Sequence, residues 1–321
     1  MAILRRSNWL ARRLMTATVV TPERAVARNK LVTNAAISDL STVRTPRLLS
    51  VFWDSREMIP HWLGTLPAEF VVKSAVSSVG RQVCVLRRRS GSEAGGDVYV
   101  EPDGLVWPMA DLKLRIARMP RPIFAEEIVL PHPQLGALSP HGTLCDLRLH
   151  FVGMDLVVGR CRIPTLRSRG YGNVGRGALG VCFHPDGRLD TSHPFARVRA
   201  PAEASGRSIH GMVLPFWAEV LTESRKVAAL FESPHVGVDG TVGPDGRFTV
   251  IEVTLVPDTK WMSPRGSLAF RDALRRAPPK QGRVEAWVAR RPDLWHWVER
   301  RIPIEALEEA AAMDAAGAEL R

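Results

Sequence analysis

Val236-Gly-Val-Asp239-Gly-Thr-Val242-Gly-Pro-Asp-Gly246-Arg-Phe248-Thr-Val-Ile-Glu252-Val-Thr254 is the stretch on which the reading of this sequence turns. Two runs rich in β-branched residues flank Gly243-Pro-Asp-Gly246, a combination that predicts strand, tight turn and strand. Asp239 and Glu252, thirteen residues apart, then fall on the two strands of one hairpin. Two carboxylates side by side suit Mg²⁺, a hard cation that takes one or two protein carboxylates and completes its shell with substrate phosphates. Taken alone, the spacing favours two exposed strand acids flanking a turn.

Upstream, Pro215–Phe231 has helical periodicity, with Trp217, Val220, Leu221, Val227 and Leu230 as its apolar set. Leu144–Val152 and Leu156–Ile163 read as strands, and alternation puts Asp146 and Arg148 on one strand face. Arg160 and Arg162 follow, and then the glycine-rich segment Gly170–Gly180. Arginines facing one cleft neutralise a transferring phosphoryl group; a surface ion-pair ladder uses the same residues. Ile123–Val129 is a strand candidate ending in Glu126-Glu127, followed by Leu130-Pro-His132-Pro. Phe70–Lys73 and Gln82–Leu86 form a hairpin around a small-residue loop, Ser74–Arg81. A lysine closing an apolar strand beside such a loop places a point charge on phosphates while loop amides cap the outer oxygens; it also fits an ordinary surface lysine. Shorter strands are expected at Leu48–Phe52 and Val98–Val100, and helices at 1–46, Pro108–Met119 and Ile304–Leu320.

The bulk properties narrow the class. With 321 residues, 45% hydrophobic and 24% charged, the chain is long enough for one large domain or several lobes around a cleft. The four cysteines, Cys84, Cys145, Cys161 and Cys182, lack CxxC spacing and sit in or beside apolar runs, as buried thiols do. No run of about 18 apolar residues exists to cross a membrane, so the expected location is cytoplasmic. The first fourteen residues are basic and amphipathic, which leaves a packed helix, a membrane-surface contact or a transit peptide open. A net charge of +11 keeps an anion- or nucleic-acid-binding protein as an alternative. Zinc spacings and aromatic-glycine strand motifs that would support nucleic acid are missing.

Taken in order, these elements resemble the ATP-grasp ligases across about residues 28–272, and within them the sugar-transfer-associated branch related to alpha-L-glutamate ligases. Phe70–Lys73 resembles the family's strand-ending phosphate lysine, and Asn29-Lys30-Leu-Val-Thr33 its earlier lysine segment. Ala125–Val129 is similar to its hinge, Thr143–Arg148 to its arginine strand and Tyr171-Gly-Asn173 to its Asn/Gly loop. Leu214–Trp217 resembles its Pro-x-Trp helix start, and Val238-Asp239 with Ile251–Pro257 its metal hairpin. Two departures stand out. The usual Glu-x-Asn ending is Glu252-Val253-Thr254 here, and the phosphate loop is poor in glycine.

The resemblance implies an α/β or α+β chain with the ATP-grasp fold, two lobes of antiparallel sheet enclosing a nucleotide cleft. It implies a helical segment at 1–46, an N-lobe at 47–125, a C-lobe at 126–275 and a helical extension at 276–321. ATP and Mg²⁺ are the implied cofactors, and a carboxylate and an amine the implied substrates, joined through an acyl phosphate in cell-envelope polysaccharide or peptide modification. Lys30, Lys73, Ser77, Ser78 and Gly80 would hold phosphates, Glu126, Glu127 and Val129 adenine, and His132 the ribose. Asp239, Glu252 and Thr254 would bind metal. Arg148 and Arg162 would stabilise the transition state, with Asn173 beside the acyl phosphate. A diverged, non-catalytic nucleotide-binding member is the alternative that the two departures leave.

Overall fold

The computed structural model describes residues 26–77, 82–90, 97–140, 142–190, 209, 211–255 and 264–276. Ser78, Gly80, the basic N-terminus and the expected helix at 304–320 lie outside the described residues. Helix α1 (Lys30–Ser38) starts where the Asn29 side chain accepts the amides of Leu31 and Val32, as an N-cap should. The expectation of helix through residue 46 is corrected. The helix stops at Ser38, Ser41 turns into the left-handed region (φ 57°), and Arg44 pairs with Thr249.

Six strands form one antiparallel sheet: β1 (Leu48–Phe52), β2 (Glu69–Ser74), β3 (Val83–Arg89), β4 (Val98–Val100), β5 (Val106–Pro108) and β6 (Ile123–Glu126), in the order β1-β6-β2-β3-β4-β5. Helices α2 (Ile59–Thr65) and α3 (Met109–Ala117) bring Ile59, Leu63, Leu112 and Ile116 against Phe70, Val72, Cys84 and Leu86. Period-2 alternation on β2 and β3 leaves Val71, Lys73, Val83 and Val85 on the opposite face.

After a single turn of helix, α4 (Pro133–Gly136), the chain builds a second antiparallel sheet. Its strands are β7 (Asp146–Val152), β8 (Asp155–Ile163), β9 (Leu179–Phe183), β10 (His235–Val242) and β11 (Phe248–Thr254), ordered β11-β10-β7-β8-β9. Between β9 and β10 runs helix α5 (Trp217–Ala228), and after β11 comes α6 (Pro264–Arg276). One face carries Leu147, Leu149, Phe151, Cys161, Val236 and Val238, packed with α5 and α1 through Val220, Val227, Val32 and Ile37. Each such side chain contributes about 1.5–3 kcal/mol on burial, so α1 belongs to this core. All four cysteines are buried free thiols.

The other face of this sheet is charged at one end. At its far end Phe270 of α6 covers His150 and His235, with ring centroids 6.5 and 4.4 Å away. The two histidines share a 3.2 Å hydrogen bond, Nδ1 of His150 to Nε2 of His235. Burial holds both rings neutral, helped at His150 by His235 and the nearby arginines and at His235 by Arg148: His150 lies well below its ordinary value, and His235 is brought down to about 3.

Two predictions follow from this packing. A Cβ on Gly240 would lie 2.4 Å from the Phe248 ring and 2.6 Å from the Thr249 carbonyl oxygen. Backbone cannot step aside as a side chain can, so Gly240→Ala costs about 1–3 kcal/mol, read as a lowered urea midpoint at unchanged slope. The second concerns acid. Below pH 6.5 the unfolded chain protonates both histidines and the folded chain does not, so each removes about 1.4 kcal/mol of stability per pH unit on going down. Asp146, pushed up to about 6 by burial, works the other way, because there the folded state holds the extra proton. His235→Gln removes one histidine's share, so between pH 6 and 4 its loss of stability is expected to be smaller than that of the wild type by about 1.4 kcal/mol per pH unit, read from urea titrations of the two proteins.

Candidate active site

The charged face is organised by strand register. Asp239 on β10 stands opposite Glu252 on β11 and opposite Arg148 on β7; Arg148 in turn faces Arg160 on β8, and Asp146 faces Arg162. The two acids of the hairpin are thus direct cross-strand partners. A bulge between Asp239 and Gly240 follows immediately, and bulges re-aim the side chains beside them.

Asp239 is 2% exposed and is gripped by two guanidinium groups. Arg148 Nε donates to Oδ1 at 2.6 Å and its Nη2 to Oδ2, while Arg162 Nη2 donates to Oδ2 at 2.8 Å. Arg162 Nε also binds Asp146 Oδ1. Burial alone would raise the Asp239 carboxyl, but Arg148 and Arg162 outweigh it and bring it down to about 2. Asp146 keeps one strong partner and feels the Asp239 charge, so burial prevails and its carboxyl rises. Two acids on neighbouring strands are thus shifted in opposite directions, as happens where charged groups gather at functional sites.

Glu252 is more open, with a side chain 34% exposed, and lies 3.3 Å from Lys30 Nζ. Lys30 donates its backbone N–H to Ala75 O (2.9 Å), and its ammonium binds the Ser77 carbonyl. This ties α1, the β2–β3 loop and the β10–β11 hairpin at one point. Lys73, 8% exposed, is paired with Glu126. Burial lifts the Glu126 carboxyl above its ordinary range, against the pull of Lys73. Its second oxygen, Oε2, is buried without a hydrogen-bond partner among the described residues. The donor set fits Mg²⁺. Asp239 and Glu252 are cross-strand partners and supply two carboxylates, the number this cation takes alongside phosphates, and Thr254 lies two residues on, opposite Gly237. Among the described residues no three His, Cys, Asp or Glu side chains gather as a closed metal cage.

The hinge differs in detail from its reading as a strand through Val129. β6 ends at Glu126, and the Glu127 amide donates to Arg47 O at 3.0 Å while its carboxylate accepts from Arg47 N (3.1 Å) and Nε (3.3 Å). Val129 is half-buried just beyond. His132 caps α4 through Nδ1, donates its amide to Val242 O, and meets Phe216 edge-on at 5.6 Å. It therefore stands at the turn end of β10, three residues from Asp239. Asn173 opens a short 3₁₀ turn, Val174–Arg176, on the glycine loop. Gly172 lies directly over Asp146: a Cβ there would sit 2.7 Å from Oδ2. Sequence reasoning missed Glu101 and the pairing of Tyr171 with it (2.9 Å). A buried tyrosine in a glycine loop was the available signal.

The sequence matches the description "Sugar-transfer associated ATP-grasp" over residues 17–262. Comparison with curated proteins finds no match. Among solved structures, the chain is similar to the ATP-grasp ligase PsnB complexed with minimal precursor (15% identity, 84% of this chain and 69% of that one, TM-score 0.41). It is also similar to a RimK domain protein ATP-grasp from Sphaerobacter thermophilus (15%, 78% and 67%, 0.40). A third is N5-carboxyaminoimidazole synthetase from Staphylococcus aureus complexed with ADP (11%, 79% and 53%, 0.40). The match in sequence spans well over half of the residues and includes both sheets, and this chain belongs to the sugar-transfer associated ATP-grasp family.

Proposed function

We propose that the protein is an ATP-dependent ligase that joins a carboxylate to an amine through an acyl phosphate. The observation that carries this reading is the convergence of Lys30, Glu252, Asp239, Arg148 and Arg162 on one sheet face, with Lys30 anchored to the β2–β3 loop. A carboxylate oxygen attacks the γ-phosphorus of ATP and ADP leaves. The amine nitrogen then attacks the acyl carbon, phosphate departs, and the amine loses a proton. Lys30 and Lys73 bind phosphate oxygens, with Ser77, Ser78 and Gly80 on the loop between β2 and β3. Backbone groups from Glu126 to Val129 meet the adenine, and His132 approaches the ribose. Arg148 and Arg162 neutralise charge that develops on the transferring phosphoryl group, a role in which fixed, pre-oriented guanidinium groups act without reorganising. Asn173 stands at the acyl phosphate. Asp239 and Glu252, helped by Thr254, would hold Mg²⁺, which supplies further neutralisation of the phosphates when bound. The family's association with sugar transfer supports a glycan-linked substrate within the proposed cell-envelope polysaccharide or peptide modification, and the presence of two sheets supports reading the chain as an N-lobe at 47–125 and a C-lobe at 126–275. Among the described residues no helix is long and apolar enough to cross a membrane.

One observation favours a second reading. Both oxygens of Asp239 already accept guanidinium N–H groups, and Thr254 replaces an amide, so a metal here competes with arginine. A protein that binds nucleotide without turning it over would look like this.

The two readings separate cleanly. With Mg²⁺-ATP and a mixture of candidate acids and amines, the ligase releases ADP, and Lys73→Ala or Glu252→Ala lowers that release by about 10²-fold or more. Release unchanged in both variants sinks the site assignment. Calorimetric nucleotide binding with no ADP release selects the second reading. Arg162→Gln, which leaves Asp239 with Arg148 as its one guanidinium partner, is expected to lower turnover by about 10²-fold and to lower the Mg²⁺ concentration that half-saturates ADP release, because Oδ2 then has one competing cation in place of two.

A further inference from the structure

The segment between β8 and β9 touches the six-stranded sheet at the turn that follows β4, and three consecutive residues make the contact. Arg169 pairs with Asp103 and lies 3.7 Å from Glu101 Oε2. Gly170 passes so near Pro102 that a Cβ on it would be 3.1 Å from Pro102 Cβ. The Tyr171 hydroxyl donates to Glu101 Oε1 at 2.9 Å. Arg169 (φ 57°) and Gly170 (φ 81°) both adopt the left-handed region. For a residue with a Cβ this is costly and persists where surroundings enforce it.

Glu101, 4% exposed, is the hub. It also accepts from Arg115 Nη1 at 2.6 Å. β4 pairs with β3 only over Arg87–Arg89, so the start of that β3 edge is open. The Val85 N–H there donates to the Tyr171 hydroxyl at 3.5 Å, and Arg115 Nη2 reaches Val83 O at 3.4 Å. A side chain from the loop between β8 and β9 thus completes the hydrogen bonding of a strand in the first sheet, where a half-buried backbone group would otherwise go unpaired. Arg176 stacks on the tyrosine ring at 4.5 Å. Burial and the Glu101 charge keep the phenol protonated, so it remains a donor. The next residue, Gly172, rests on Asp146, which binds Arg162, which binds Asp239.

We propose that Tyr171 is a positioning residue: with Glu101 it latches the glycine loop onto β3 and so sets Gly172 and Asn173 against the Asp146–Arg162–Asp239 ion network. The docking stands on its own geometry, and only its effect on turnover rests on the ligase reading. Strand β3 is one arm of the phosphate-loop hairpin, so the latch links the loop over the phosphates to the loop beside the acyl group.

Amide exchange without nucleotide tests the docking, in wild type, Tyr171→Phe and Glu101→Gln. The expected result is exchange about tenfold faster at Val85 and across residues 170–177 in both variants, with the β10–β11 amides unchanged. Equal exchange at Val85 and the loop overturns the latch; a rise everywhere shows global destabilisation and overturns it too. ADP release then tests positioning. Tyr171→Phe is expected to lower kcat about tenfold with little change in KM for ATP, and the double variant to be no worse than the weaker single. An effect confined to KM, or losses that multiply in the double variant, overturns positioning. Wild-type protein that releases no ADP overturns the ligase reading instead, and the exchange experiment then decides the latch alone.

Discussion

Asp239 is a buried carboxylate held between two guanidinium groups that come from two other strands. Removing these charges from water is costly, and the cost is offset only where each lone pair finds a donor in good geometry. The register β11-β10-β7-β8 supplies that geometry, placing Glu252, Asp239, Arg148 and Arg160 in one row and Asp146 beside Arg162. The constraint runs both ways. A slip of one residue would turn every side chain of a strand to the opposite face, driving Arg148 or Asp239 into the core of Leu147, Leu149 and Val238. The ion network and the apolar core thus specify the same alignment.

Glycine appears where this network leaves no room. Gly172 closes over Asp146, and Gly180 lies against Arg160, where a Cβ would sit 2.8 Å from Cδ. The glycine loop is therefore a fitted cover for the arginine strand. Its fit requires the loop to be held from outside, which is what the contact with Glu101 and Pro102 does.

Period-2 alternation made the strands legible: β2, β3, β7, β8, β10 and β11 lie where hydrophobic runs broken by turn residues place them. The shared face of Asp146 and Arg148 was legible for the same reason. Local patterning does not carry inter-strand register, so the grip of Arg148 and Arg162 on Asp239, 91 and 77 positions away, could not be read. Nor could the Lys73–Glu126 pair, or α1 entering the second core, because its stripe of Val32, Ala36 and Ile37 names no partner. The short elements α2, α4 and β5 carry no legible pattern, since three to seven residues complete fewer than two periods. Order along the chain, matched to a known family, supplied what alternation lacked for the site.

The buried ion network is weak evidence for stability. Well-packed apolar side chains in the same space would serve the fold as well or better. Its placement argues instead for chemistry. It lies at the end of the sheet face not covered by α6, beside a lysine anchored to the β2–β3 loop, and its two acids are shifted in opposite directions, Asp146 up by burial and Asp239 down by its two arginines. Asp239, always ionised, is suited to hold a cation, whether guanidinium or metal. Asp146, higher and covered by Gly172, is suited to keep Arg162 aimed. A cleft that was merely structural would gain nothing from that difference, whereas one that must gather negative charge from phosphates needs cations fixed in place before the ligand arrives.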